Sequence, residues 1–264
     1  GNKGVLNGEE TKLEDIHRGM LKALYGVFKL ADSDLQFVLL TGVTKFSQVS
    51  VFSGFNQPDD ISMSGKYEAL CGITKYELLS VFDEPIHELA AKLRRSYEDT
   101  VELLKKKYDG YHFGDEMIEI FNPFSILNCF NKLQLRNFWF ASGTPSYLVR
   151  LLAHCNENIN ELVGKYYDAS QFIDYKADVE QPLPMIYQSG YLTIKDYNER
   201  LYTYKLDFPN EEVRNGFIDA VASGYFKGNQ SPTAWIIDVT TSLEKGDTAK
   251  FEKLMTSLLS SISY

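Results

Sequence analysis

The apolar positions along the chain recur mostly at helical spacing. After a polar stretch over residues 1–10, apolar residues fall every three or four positions from Leu13 to Phe28, which predicts an amphipathic helix. The same spacing, together with proline start signals, predicts further helices over residues 86–107, 123–133 and 145–154. The fold is therefore expected to be α+β and mainly helical.

One segment breaks the helical pattern. Residues 35–41 (LQFVLLT) form an almost continuous apolar run, which is typical of a strand buried on both faces of a parallel sheet. A polar loop follows, at the strand end where open α/β sheets bind ligands. The binding candidates in this loop are Thr41, Thr44, Lys45 and Ser47. No second run of this kind precedes residue 190, so the sheet partners are expected from missing sequence or from another chain.

The last third of the chain has a different pattern. A short helix over 184–189 is followed by two β-rich runs, 191–194 and 201–206, which flank a polar turn and predict a hairpin. Asn210 then caps a further helix. Helix, hairpin and helix in this order suggest a winged-helix module. Positive and negative side chains balance in the hairpin, which favours a surface that faces protein over one that reads DNA.

Residues 108–113 (YDGYHF) place aromatic side chains around an Asp-Gly turn. Such a turn either anchors a loop to the core or lines a ligand site, and the sequence leaves both interpretations open. The candidate residues in this motif are Tyr108, Asp109, Gly110 and Tyr111.

Composition and charge narrow the function classes. The chain has 264 residues, with 27 Lys and Arg against 36 Asp and Glu, and a net charge of -9. This acidic balance argues against general nucleic-acid binding. Three widely spaced cysteines indicate reduced thiols and a cytoplasmic protein. No apolar run is long enough to cross a bilayer, so no membrane partner is expected.

Motifs for nucleotide and metal chemistry are missing from the sequence. The phosphate-binding loop Gly-x-x-x-x-Gly-Lys-Ser/Thr does not occur, so the chain has no standard means of holding a nucleoside triphosphate. No histidines are paired at metal-ligand spacing, and no carboxylate cluster of the nuclease type is found. We therefore predict no catalytic residue and no metal ligand, and a nuclease is disfavoured.

Eight short segments together resemble one family. In chain order they are residues 40–47, 51–56, 71–74, 108–113, 122–125, 142–145, 188–194 and 209–214. The combination is similar to the AAA-ATPase-like family of Bacteroides-type bacteria, whose members usually carry a C-terminal PD-(D/E)XK nuclease-like domain. The resemblance covers about residues 10–264.

The resemblance implies a P-loop half ahead of residue 1, which would bind ATP and Mg²⁺ in the parent protein, and a further domain beyond residue 264. Both ends of the chain are accordingly expected to be cut from a longer protein. Thr41 would sense the nucleotide at the tip of the strand, and the lid would begin a helix at Gly143, Thr144 and Pro145. The family segments also make Asn122 and Arg214 candidates.

The predicted organisation has three parts. Residues 1–60 would be the end of an ATPase core with its sensor strand, 61–180 a helical lid, and 181–264 a winged-helix-like module with terminal helices. The function expected from the resemblance is the lid and sensor portion of a P-loop ATPase, incomplete by itself and binding no cofactor alone. Its partners would be the missing P-loop half and a protein client or DNA. The alternative is a non-enzymatic module that binds protein or nucleic acid.

Overall fold

The computed structural model describes residues 3–6, 9–42, 59–142, 162–173, 182–225 and 232–261. They form an α+β structure in which helices predominate. The strands are β1 (Lys3–Leu6), β2 (Glu9–Lys12), β3 (Ile73–Thr74), β4 (Ile120–Phe121), β5 (Lys165–Asp168), β6 (Thr193–Asn198) and β7 (Thr203–Asp207). The helices are α1 (Leu13–Leu30), α2 (Lys75–Val81), α3 (Asp83–Leu93), α4 (Tyr97–Tyr108), α5 (Pro123–Lys132), α6 (Phe138–Ser142), α7 (Ser170–Ile173), α8 (Leu183–Gln188), α9 (Glu211–Tyr225), α10 (Pro232–Glu244) and α11 (Thr248–Ser261).

Local capping signals determine where several helices begin. Thr74 and Glu77 form a capping box at the start of α2, in which each side chain accepts a hydrogen bond from the other residue's backbone N–H. The Asn122 side chain accepts from the Ser125 N–H before Pro123, and Asn210 caps α9 through the Val213 N–H. The helices predicted over residues 123–133 and after Asn210 are confirmed.

The predicted single helix over 86–107 is wrong, because it divides into α3 and α4. Arg94 adopts a left-handed conformation with φ of 55°, and the Ser96 hydroxyl then accepts a hydrogen bond from the Asp99 N–H as an N-cap. The chain folds back at this point, so that Leu89 of α3 and Leu104 of α4 are buried in the same core. Helical periodicity continues across the break and therefore does not reveal it.

The predicted strand over 35–41 is not formed. This stretch has no regular secondary structure, and no strand within the described residues pairs with it. Phe37 is 78% exposed and Leu39 is 54% exposed. The physical reason is that a strand with two apolar faces is stable only between neighbouring strands and under covering layers. The described part of the chain supplies neither.

The largest sheet belongs to the C-terminal third. Its three antiparallel strands have the order β5-β7-β6, and β6 and β7 are the predicted hairpin, which is thereby confirmed. Strand β5 was not predicted; it pairs with β7 from Lys165 opposite Leu206 to Asp168 opposite Thr203. Helix α8 precedes the hairpin and α9 follows it, as expected.

The interior of the described residues consists of two large apolar clusters and a smaller one that contains Tyr111 and Val213. The first lies among α2 to α6 and includes Leu104 and Ile126, whereas the second lies between the three-stranded sheet and helices α7 to α9 and includes Phe172 and Phe217. The fully buried Glu212 connects them. Its carboxylate accepts hydrogen bonds from the Ser125 hydroxyl, at 2.6 Å, and from the Trp139 N–H, at 2.8 Å. One carboxylate of α9 is thus bonded to the helical part of the fold.

Replacing Ser125 with alanine should destabilise the fold by about 1–3 kcal/mol, because one oxygen of the buried Glu212 carboxylate then loses its donor. Chemical denaturation measures the change. Ser80 provides the matched control, since its exposed hydroxyl bonds only to its own helix, and Ser80→Ala should change stability by less than about 0.5 kcal/mol. Equal effects of the two variants would contradict the assigned role of Ser125.

Candidate functional site

The candidate site surrounds the turn that follows α4. Residues 108–113 leave the helix there and meet the hairpin and the start of α9. Asp109 is the C-terminal cap of α4, and its backbone carbonyl accepts a hydrogen bond from the Asn210 side chain at 2.9 Å. The Asp-Gly turn therefore lies at the junction of three elements that are distant in sequence.

Glycine is required at position 110. Its φ of 87° is strained for any side chain, and a Cβ atom would lie 2.4 Å from the Pro209 carbonyl oxygen. The Lys195 ammonium occupies the remaining space, and it donates hydrogen bonds to the carbonyls of Gly110, at 2.6 Å, and Pro209, at 2.9 Å. Lys195 thus holds the turn against the start of α9.

The aromatic residues and the histidine of the motif anchor it to both clusters. The Tyr108 hydroxyl donates to the Arg136 carbonyl at 2.8 Å and accepts from its N–H, and the Tyr111 hydroxyl donates to the Gly190 carbonyl at 3.1 Å. The His112 N–H donates to the Thr193 hydroxyl, which donates back to the His112 carbonyl. Burial lowers the pKa of His112. The anchoring interpretation therefore applies to these three residues.

Asp109 does not fit the anchoring interpretation. Its side chain is 1% exposed, and neither carboxylate oxygen has a hydrogen-bond partner. Burial raises the pKa of this carboxyl to about 6, and Glu119 adds to the rise, whereas the Gly110 amide, Lys105 and Lys195 oppose it. Buried carboxylates are normally paired or hydrogen-bonded, so Asp109 is the exception in this motif.

A cleft of about 540 Å³ adjoins Asp109. One wall is formed by α4 with Arg95, and the other by Lys195 and Pro209. Burial lowers the pKa of Lys195, partly offset by the negative charge of Asp109. A buried acid and a half-buried base thus lie beside the same cleft.

The structure brings together only part of the predicted site. Four of the predicted residues form the turn described above, and the Asn122 N–H donates to the Tyr108 carbonyl at 2.9 Å. Thr41 is exposed in the irregular stretch after α1, and Arg214 is exposed on α9. The predicted residues Thr44, Lys45, Ser47, Gly143, Thr144 and Pro145 lie outside the described residues.

Two residues with important contacts were not predicted from the sequence: Lys195, which holds the turn, and Glu212, which connects the two large clusters. Both lie more than 80 residues from the Asp-Gly turn. In the sequence, Lys195 is one of several charged residues of the predicted hairpin, and Glu212 is one of several charged residues of the predicted helix. The sequence does indicate the position of Glu212, because acidic residues that follow Pro-Asn are typical of the first turn of a helix. Nothing local distinguishes Lys195 from the other hairpin lysine.

Within the described ranges, the structure contains neither a metal-binding cluster nor a membrane-spanning helix. No group of three His, Cys, Asp or Glu side chains there is arranged to hold a metal ion. No helix in the same ranges is long and apolar enough to cross a membrane.

Comparisons with known proteins find limited similarity. No protein-family model matches the chain, and no solved structure matches it. The chain is similar to an uncharacterized protein in the vnfD 5′ region of Azotobacter chroococcum mcd 1, with 33% identity over 211 residues. The match covers 79% of this chain and 38% of that relative. The chain therefore spans well under half the length of the relative.

Replacing Asp109 with asparagine should stabilise the protein at pH 8 and have little effect near pH 4. The folded-state pKa of about 6 lies above the ordinary value of 3.8, so the charge opposes folding increasingly as the pH rises from about 4 through 6. The expected gain at pH 8 is roughly 2–3 kcal/mol. Thermal unfolding as a function of pH measures it.

Asp99→Asn is the matched control for this experiment. Asp99 lines the same cleft, but its side chain is exposed. This variant should not reproduce the stabilisation at pH 8 that is expected of Asp109→Asn. If Asp109→Asn instead destabilises the protein at pH 8, the Asp109 carboxylate forms a stabilising bond in the folded protein, which contradicts its unpartnered state.

Proposed function

We propose that this chain is the sensor and lid portion of a P-loop ATPase, including a winged-helix-like module, and that it is catalytically incomplete alone. A separate P-loop half of the parent protein would bind ATP and Mg²⁺. The chain would complete that half by packing against it through its N-terminal region. The ordered set of family-like segments in the sequence is the basis for naming the ATPase class.

The observation that carries the proposal is an unpartnered apolar surface at the N-terminal end. On α1, Met20 is 67% exposed and Leu24 is 55% exposed, and the chain continues into the exposed run that includes Phe37. Helix α1 packs mainly on β1, β2 and the short helical turn after it. Apolar surface of this extent normally marks an interface. A segment rich in Phe, Val and Leu that lacks sheet neighbours is what an interrupted sheet would leave behind.

Two further observations support the proposal. The similar protein from Azotobacter is much longer than this chain, so a region of this kind occurs within a larger polypeptide. Helix α8 is followed by the β6–β7 hairpin and then by helix α9, which is the element order expected of a winged-helix module. The alternative, a module that binds a protein partner without nucleotide, would use the same apolar surface and therefore has to be separated by experiment.

The experiment compares this chain with a longer product of the same reading frame. The upstream sequence should encode a Gly-x-x-x-x-Gly-Lys-Ser/Thr motif, and its product should bind this chain in sedimentation experiments. Calorimetry with ATP and Mg²⁺ should show no binding to this chain alone and micromolar binding to the assembled protein. Micromolar binding to this chain alone would contradict the proposal, and an upstream sequence without the motif would favour the nucleotide-independent module.

Phe37→Asp should weaken the association of the two halves by about tenfold to a hundredfold, because one buried aromatic side chain contributes roughly 1.5–3 kcal/mol. Tyr76→Asp is the matched control. Tyr76 is 80% exposed, a fraction similar to that of Phe37. It lies near the start of α2, where an acidic residue is tolerated. If both variants associate like the original chain, residues 35–40 are not the contact surface.

A further inference from the structure

Helix α1 carries an apolar stripe along one face that is open to solvent. The stripe consists of Met20, Leu24, Val27 and Leu30. Their spacing of three and four residues places them on the same side of the helix. All four side chains are more than half exposed, from 54% for Val27 to 85% for Leu30. The main contacts of α1 within the described residues are with β1, β2 and the helical turn Asp32–Asp34, and they leave this stripe uncovered.

Small residues border the stripe. Gly19, Ala23 and Gly26 recur at the same intervals of three and four positions and lie beside it on the helix. A Cβ atom on Gly19 or Gly26 would meet no heavy atom within 4 Å apart from the neighbouring backbone of its own helix. Packed helices lie about 8–10 Å apart, and the distance depends on the side chains at the contact. The border of small residues therefore allows a second helix to approach the stripe closely.

The apolar surface has the size that a stable dimer needs. The stripe is followed along the chain by further exposed side chains, namely Leu35, Phe37, Leu39 and Leu40. At roughly 100 Å² for each partly exposed side chain, stripe and following run together present about 800 Å² of apolar surface. The largest apolar patch of a typical monomer covers about 300–600 Å². A standard interface, in contrast, buries about 800 Å² on each partner.

The distribution of charge on α1 favours a second copy of the chain over an anionic surface. Arg18 and Lys22 lie on the side of the helix opposite the stripe, and Arg18 is paired with Asp15 at 3.6 Å. Two identical stripes can therefore meet without bringing like charges together. An anionic membrane or nucleic acid would need cations beside the stripe, and the net charge of -9 opposes its approach.

We propose that this chain forms a symmetric dimer in which the α1 stripes of two copies pack against each other in antiparallel orientation. Antiparallel helices place the positive end of one dipole beside the negative end of the other. The contact is isologous, so it closes at two copies and leaves no free stripe for further association. The dimer uses the surface that the P-loop half would cover, so the two associations exclude each other. The inference itself needs only a second copy and does not depend on the ATPase class.

Sedimentation equilibrium of the whole chain tests the dimer. We expect a monomer–dimer equilibrium with a dissociation constant of roughly 1 µM or below, as for interfaces of this size. High salt should not dissociate the dimer, because the contact is apolar. A chain that is monomeric at about 100 µM, or that grows beyond two copies, would overturn the proposal.

A pair of matched variants locates the contact. Leu24→Asp should weaken the dimer at least a hundredfold, roughly tenfold for each copy, because an isologous contact contains every substitution twice. Leu127→Asp is the control, since Leu127 lies in the middle of α5 and is 51% exposed, against 55% for Leu24. It should change the dissociation constant by less than twofold. Circular dichroism checks that both variants remain folded, and equal effects of the two would contradict a contact through α1.

The same variants separate this proposal from assembly with the P-loop half. A chain that dimerises through Leu24 but does not bind the upstream product supports the dimer and contradicts that assembly. A chain that stays monomeric but binds the upstream product does the reverse.

Discussion

The structure depends on satisfying the backbone of an irregular turn where three elements meet. Buried peptide groups outside helices and sheets need hydrogen-bond partners, and residues 108–113 obtain several of theirs from side chains. Asn210 donates to the Asp109 carbonyl, Lys195 to the Gly110 carbonyl, and Thr193 exchanges hydrogen bonds with His112. These bonds connect α4 to the hairpin and to α9. Glu212 adds a second connection between the two large apolar clusters, through Ser125 and Trp139.

That arrangement satisfies the backbone of the turn but not the Asp109 side chain. Gly110 turns the chain with a positive φ and allows the Lys195 ammonium to donate to two backbone carbonyls. The carboxylate is consequently left buried without a donor. By contrast, the equally buried Glu212 is bonded by Ser125 and Trp139. Two acids in similar burial thus differ: Glu212 joins elements of the fold, whereas the Asp109 carboxylate is enclosed beside the turn that it terminates.

The N-terminal region presents a different physical situation. Helix α1 and the run that includes Phe37 expose apolar side chains, although their composition suits burial. The proposed P-loop partner would cover this surface.

The sequence by itself determined the local features of this protein. Interactions between near neighbours produce the helix start after Asn122, the cap at Asn210, the hairpin and the mainly helical class, and these predictions are confirmed. Only the tertiary structure decided where the helix predicted over 86–107 breaks, because the break depends on both halves packing on one core. It also decided that residues 35–41 stay irregular, since strand formation requires partners that a pattern cannot supply. The candidate site was predictable only as the motif at 108–111. Its bonds to Lys195 and Asn210 span more than 80 residues, and long-range packing alone brings them together.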